Sequence, residues 1–175
     1  IRVRDYRELQ LHKMPNVEVF RESKMTAQDV HEVAADHVVI ATGAYWRKDR
    51  FDGDRYVSVI FEESDTVILT PDDIMTGRMP NGPSLIYDED GYYLGSVIAE
   101  KIKIAGHDVT YVTSADVVSK WADNTSERWK IQSHLMKLGI TINLSKSLQS
   151  FDGATAILTC KYSGAQSELK AKALV

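Results

Sequence analysis

The chain has 175 residues, 43% of them hydrophobic and 26% charged, a balance that suits one ordinary globular domain or two small incomplete ones. A net charge of −4 at pH 7 disfavours a nucleic-acid backbone as partner, and no apolar run is long enough to span a membrane. The single cysteine, Cys160, excludes an internal disulfide and any cysteine-only metal site, and a cytoplasmic location fits this usage.

Residues 4–14 (RDYRELQLHKM) predict a helix stopped by Pro15-Asn16, and Val17–Phe20 a short strand. Thr26 stands three residues before Asp29, a capping-box variant, and Val30, Val33 and Ala34 give the helix that follows an apolar side. Val38–Ala41 runs apolar into Thr42-Gly43, the pattern of a buried parallel strand ending in a glycine turn. Tyr45–Asp54 reads as an excursion from the sheet edge, its Arg47, Lys48 and Arg50 a solvated basic loop, and Ser58–Phe61 as a short strand. Thr70 precedes a brief helix with Pro71 at its first position and acidic residues where the helix dipole favours them. Residues 76–83 (TGRMPNGP) hold two glycines and two prolines, the strongest boundary signal in the chain.

Ser84–Ser114 organises the rest. Leu85-Ile86-Tyr87 is a short apolar run, Asp88-Glu89-Asp90-Gly91 an acidic turn read as solvated, and Leu94, Ile98, Ile102 and Ala105 share one helical face. Gly106 closes that helix, and Val109–Val112 begins a second strand. Strand, turn, helix and strand in this order open a parallel nucleotide-binding sheet. The nucleotide chemistry itself looks removed. Counting back from Gly95 as the third glycine of G-x-G-x-x-G, the first two positions hold Asp90 and Tyr92. Tyr92 puts a ring where a phosphate should sit, and Asp90 adds negative charge beside a negative ligand. Thr113 stands where a ribose-binding carboxylate would lie, and it supplies no charge.

Asn124, with Glu127 three residues later, predicts the start of a helix whose apolar face is Ile131, Leu135 and Leu138, ended by Gly139. Ile140–Ile142 predicts a third strand, and the period then changes. Residues 147–151, 154–161 and 167–175 alternate or run apolar between Asp152-Gly153 and Ser163-Gly164, the pattern of a small antiparallel meander. Cys160, in the apolar run Ala156–Cys160, reads as a packed strand residue rather than a reactive thiol. The five histidines are scattered with no metal-ligand spacing, and no P-loop, C-x-x-C or G-x-S-x-G elbow occurs. The expected fold is α/β: a Rossmann-like FAD/NAD(P)-binding-type three-layer unit with a small antiparallel meander, plus part of a second such unit. Catalysis within these residues is not expected, and both chain ends read as cuts through a larger protein.

Five stretches together resemble the C-terminal nucleotide-binding-like region of the trimethylamine and dimethylamine dehydrogenase family: RDYRELQL from Arg4, DHVVIATGAYW from Asp36, LTPDDIM from Leu69, Leu85–Thr113, and WADNTSERWKIQSHLMKLG from Trp121. The glycine-poor turn YDEDGYYLG is the most specific of these, because it is similar to the methylamine-dehydrogenase branch rather than to pyridine-nucleotide-using reductases. The resemblance implies residues 1–76 as a partial FAD/ADP-binding-like unit with linker and 77–175 as a degenerate NAD(P)-binding-like domain. It implies a parent enzyme whose (β/α)-barrel holds FMN, beside a four-iron four-sulfur cluster, with ADP as a further ligand. The parent would oxidise a methylated or substituted amine and pass electrons to an electron-transferring flavoprotein. Expected partners are the rest of the parent chain, that flavoprotein and a further copy of the parent, with neither nucleic acid nor membrane. This segment itself is expected to hold no cofactor. By the same resemblance Ala41, Thr42 and Gly43 match a strand-end turn near the ADP, and Asp90, Tyr92, Gly95 and Thr113 match positions of the altered second site. Two alternatives stay open: a fragment of an NAD(P)H-dependent ene-reductase of the dienoyl-CoA reductase type, and a non-enzymatic Rossmann-like interaction module.

Overall fold

The computed structural model describes residues 2–46, 51–52, 57–58, 60–61 and 67–175. It divides into two compact units, Ile1–Gly43 and Ala44–Val175. The basic residues Arg47, Lys48 and Arg50 lie outside the described residues.

The first unit contains two helices, α1 (Arg2–His12) and α2 (Ala27–Val33), and neither buries a residue. The Thr26 capping box forms as expected, with the Thr26 N–H donating to Asp29 Oδ2 at 2.6 Å and the Asp29 N–H to Thr26 Oγ1 at 3.3 Å. The strands expected at Val17–Phe20 and Val38–Ala41 are absent. A strand needs a ladder partner, and this unit offers none among its described residues. Val39 and Ile40 accordingly stand 88% and 82% exposed.

The second unit is built on a five-stranded sheet. In chain order its strands are β1 (Phe51–Asp52), β2 (Val57–Ser58), β3 (Ile60–Phe61), β4 (Val67–Ile68), β5 (Ser84–Asp88), β6 (Val109–Thr113), β7 (Thr141–Asn143), β8 (Lys146–Phe151), β9 (Thr155–Cys160), β10 (Gln166–Lys170) and β11 (Ala173–Leu174). The helices are α3 (Pro71–Met75), α4 (Leu94–Ile104) and α5 (Arg128–Lys137), with a 3-10 helix at Lys120–Thr125. The main sheet has the order β4-β11-β5-β6-β7, all neighbours parallel. β5 and β6 pair from Ser84↔Val109 to Asp88↔Thr113, and both read as near-continuous buried runs because both faces are covered.

Strand alternation decides what covers each face. Ile86, Val109 and Tyr111 point to the helical side and join Ile74 of α3, Ile98, Ala99 and Ile102 of α4, and Leu135 of α5. Leu85, Val112 and Leu174 point the other way, against Leu148, Phe151 and Leu158. Each of the buried Val, Leu, Ile and Phe side chains among these stabilises the fold by about 1.5–3 kcal/mol relative to exposure. Helices α4 and α5 both end in Schellman motifs. Gly106 N–H donates to the Lys103 carbonyl and His107 N–H to Ile102, while Gly139 N–H donates to Met136 and Ile140 N–H to Leu135.

This layering corrects the expected fold class. A doubly wound dinucleotide-binding sandwich carries helices on both faces of its parallel sheet. Here the second face is covered by a four-stranded sheet of order β10-β9-β8-β3. After β7 the sequence has the two-residue period of strands, so it cannot supply a crossover helix and lays a sheet over that face instead. The sheet is also no isolated antiparallel meander, because β3 pairs parallel to β8. Among the described residues before Ser84, β4 belongs to the main sheet, where it pairs with β11.

Three smaller expectations are corrected too. Residues 167–175, expected as one strand, divide: β10 stays in the covering sheet, and β11 inserts between β4 and β5. Residues 58–61 divide between β2, paired with β1, and β3, paired with β8. The helix expected from Asn124 begins only at Arg128. Before it, Thr125 Oγ1 donates to the Ala122 carbonyl at 3.1 Å, and Ser126 adopts a left-handed φ of 59°, which together end the 3-10 turn before α5 can start.

Candidate functional site

Open α/β sheets bind ligands beyond the carboxyl ends of their parallel strands, beside a helix N-terminus. In this chain that place is the turn from β5 into α4. Ile86 pairs with Tyr111, and Asp88, two residues on, emerges on the same helical face. The register therefore delivers an acid and a phenol side by side. Tyr111 Oη donates a short hydrogen bond to Asp88 Oδ2, and the Gly91 N–H donates to Asp88 Oδ1 at 3.0 Å. Asp88 is 4% exposed and Tyr111 fully buried.

Gly95 explains how the acid fits. A Cβ at that position would lie 2.6 Å from Asp88 Cγ and 2.9 Å from Oδ1, so the carboxyl rests directly on the first turn of α4. A phosphate would be cradled in the same place. Gly91, at φ +63°, turns the chain beneath it, and the Trp121 N–H donates to the Gly91 carbonyl at 2.9 Å while its ring edge closes over the turn. Ser119, 1% exposed, stands beside the Tyr111 oxygen, and its Oγ has no partner in hydrogen-bond geometry.

Burial pushes the Asp88 carboxyl above the usual carboxylate range; the Tyr111 and Gly91 hydrogen bonds pull it back, and the nearby Asp90 charge raises it further. Burial, and then the Asp88 charge, push the Tyr111 phenol well up. A second contact closes the mouth of the turn. Tyr93 Oη donates to Glu127 Oε2 at 2.5 Å and lies 2.6 Å from Thr125 Oγ1, tying the start of α4 to the 3-10 segment. The Tyr92 ring packs edge-on to Tyr93, with centroids 4.9 Å apart.

The residues expected from the altered glycine motif are thus brought to one place, with differing surroundings. Asp90 and Tyr92 are exposed, Gly95 carries Asp88, and Thr113 is buried with its Oγ1 accepting from the Ala115 N–H at 3.2 Å. Ala41, Thr42 and Gly43 belong to the first unit and are exposed, Gly43 with φ +79°. The Asp88–Tyr111 pair was missed, because Asp88 read as one of three solvated acids. The signal is an acid that ends a strand directly after the apolar run Leu85-Ile86-Tyr87. Cys160 ends β9 half-buried, and hydrogen bonding from Ser163 lowers its thiol to about 7. Among the described residues no group of three His, Cys, Asp or Glu gathers as a metal site, and no helix is long and apolar enough to cross a membrane.

Residues 69–155 match the family model of the OYE-like second alpha/beta domain. The chain is 32% identical over 146 residues to dimethylamine dehydrogenase of Hyphomicrobium sp. (strain x), covering 79% of this chain and 20% of that protein. Among solved structures it is similar to histamine dehydrogenase from Rhizobium sp. 4-9, with TM-score 0.87 and 35% identity over 99% of this chain and 27% of that one. It is similar as well to 6-hydroxypseudooxynicotine amine oxidase from Pseudomonas geniculata N1, with TM-score 0.78 and 37% identity over 99% of this chain and 26% of that one. The chain thus spans about a fifth to a quarter of the length of these relatives. These likenesses complete the correction of fold class: the architecture is that of an OYE-like second α/β domain, not of an NAD(P)-binding sandwich.

Proposed function

The chain belongs to the OYE-like, amine-dehydrogenase flavoprotein family, and on that premise we propose that it is a non-catalytic α/β part of an oxidoreductase that oxidises a methylated or otherwise substituted amine. The parent's redox chemistry is assigned to FMN and an iron–sulfur cluster, with electrons leaving to an electron-transferring flavoprotein. A bound flavin supplies the acceptance of the amine's electrons, and the protein fixes the geometry of that transfer. The residues of this chain do not fit those groups. One cysteine, Cys160, cannot ligate a four-iron cluster. The phosphate position at the β5–α4 turn is filled by Asp88, which leaves no cradle there for FMN or NAD(P)H.

That filled turn is the observation supporting a structural role for residues 84–113. Ala41, Thr42 and Gly43 remain the residues proposed for an ADP-like moiety, their exposed backbone being free of side-chain bulk at Gly43. The test is anaerobic mixing of the full-length parent with a panel of methylated amines, N-methylated amino acids and histamine while flavin absorbance is followed. Bleaching by one of these amines is the expected result. Bleaching by NADPH and by no amine would move the parent to the ene-reductase class and overturn the reading.

A further inference from the structure

We propose that the Asp88 carboxylate is the built-in occupant of a preformed anion hole at the β5–α4 turn, sized for a single carboxylate and closed to nucleotide phosphates while Asp88 fills it. Two donors hold the carboxyl, and a third hydroxyl lies behind one of them. The Gly91 N–H and the Tyr111 hydroxyl bind the two Asp88 oxygens, and the Ser119 hydroxyl, buried beside Tyr111, has no partner of its own. The first turn of α4 lies directly against the carboxyl. Gly95 withholds a side chain from the one spot where a Cβ would strike the carboxyl. An acid 4% exposed, resting on a helix N-terminus and held by a phenol, takes the position a ligand takes in a working site. The exposed Asp90 is the other acid acting on it, at longer range.

The inference deepens the reading that this turn holds no nucleotide, and it is independent of which amine the parent oxidises. It moves the cause of exclusion from Asp90 and Tyr92, at the rim, to Asp88, inside the hole. A carboxylate supplied from solution should then replace the one that a truncation removes.

The full 175-residue chain is compared as wild type, Asp88→Ala, Asp88→Asn and Asp88→Ala with Tyr111→Phe. Thermal unfolding is followed in sodium formate and in sodium chloride at equal ionic strength. Asp88→Ala should melt lower than wild type in chloride and recover most of that loss in formate, saturably. Wild type and Asp88→Asn, whose holes stay filled, should show no formate-specific gain. The double variant, short of one donor, should recover less than Asp88→Ala. If Asp88→Ala is unfolded in chloride, folding in formate supports the proposal, and failure to fold in either salt overturns it. Absence of a formate-specific gain, or an equal gain in wild type, also overturns it. A parent that bleached with NADPH alone would defeat the functional proposal and leave this result unaffected.

Discussion

Gly95 and Asp88 share a space that holds only one side chain: a Cβ on residue 95 would sit 2.6 Å from Asp88 Cγ and 2.9 Å from its Cβ. Glycine inside a helix ordinarily costs about 1 kcal/mol relative to alanine. At this position the sign should invert. Gly95→Ala should destabilise the chain by about 1–3 kcal/mol, because the obstructing atoms belong to the buried root of Asp88 and cannot swing aside. Urea unfolding measures it. A Gly95→Ala chain as stable as wild type would mean that the carboxyl does not rest on α4.

The Asp88–Tyr111 pair gives a pH signature. Burial raises the folded-state titration of Asp88 above its unfolded value, against the pull of its hydrogen bonds. The folded chain therefore holds the proton more tightly than the unfolded one, and this contribution to stability is full below the unfolded value and lost as pH rises through the folded one. Asp88→Asn cannot titrate. The stability of wild type relative to Asp88→Asn should accordingly fall as pH rises above the ordinary carboxylate range. Chemical denaturation of both proteins across mildly acidic pH would show it, and a difference that grows with pH in favour of wild type would refute the assignment.

How far the sequence foretold this arrangement depends on which kind of signal each element carried. α4 and its closing Gly106 were legible because the apolar spacing and the stop coincide, and β5 and β6 because strands buried on both faces read as runs. The covering sheet was legible as strands and misplaced as a layer. Nothing local in Lys146–Lys170 says which face of another sheet those strands will lie on. β11 was hidden because Ala173-Leu174 continues the pattern of β10 and departs from it only in its partners. At the site, counting glycines found the right turn but weighted the rim. Asp88 carries a local signal, an acid ending the run Leu85-Ile86-Tyr87, but its partner emerges only from the register, which sets it diagonal to Tyr111, a relation between positions 23 apart.

Tyr93 and Glu127 supply a separate check on the closed mouth. The Tyr93 hydroxyl, donating to Glu127, holds that carboxyl below its ordinary range, with Thr125 adding to the effect. Tyr93→Phe should return the Glu127 titration upward toward the usual value while leaving the sheet intact. Carbon-detected NMR titration of the glutamate side chains reads this directly. An unmoved Glu127 would mean that the start of α4 and the 3-10 segment are not joined through this hydroxyl.

The filled turn also predicts how the chain treats pyridine nucleotides. NADH or NADPH would have to set a pyrophosphate where the Asp88 carboxyl already accepts the Gly91 N–H, between the Tyr92 and Tyr93 rings and the Trp121 edge. Expelling a buried acid with two hydrogen bonds costs more than a weak nucleotide contact returns. Calorimetric titration with either nucleotide should show no saturable binding tighter than about millimolar, an association free energy of only about −4 kcal/mol. Asp90→Asn, which removes the exposed charge and leaves Asp88 in place, should bind no better. Micromolar binding to wild type would show that the turn opens to nucleotides as it stands. Micromolar binding to Asp90→Asn alone would show that rim charge, and not the buried carboxyl, keeps them out.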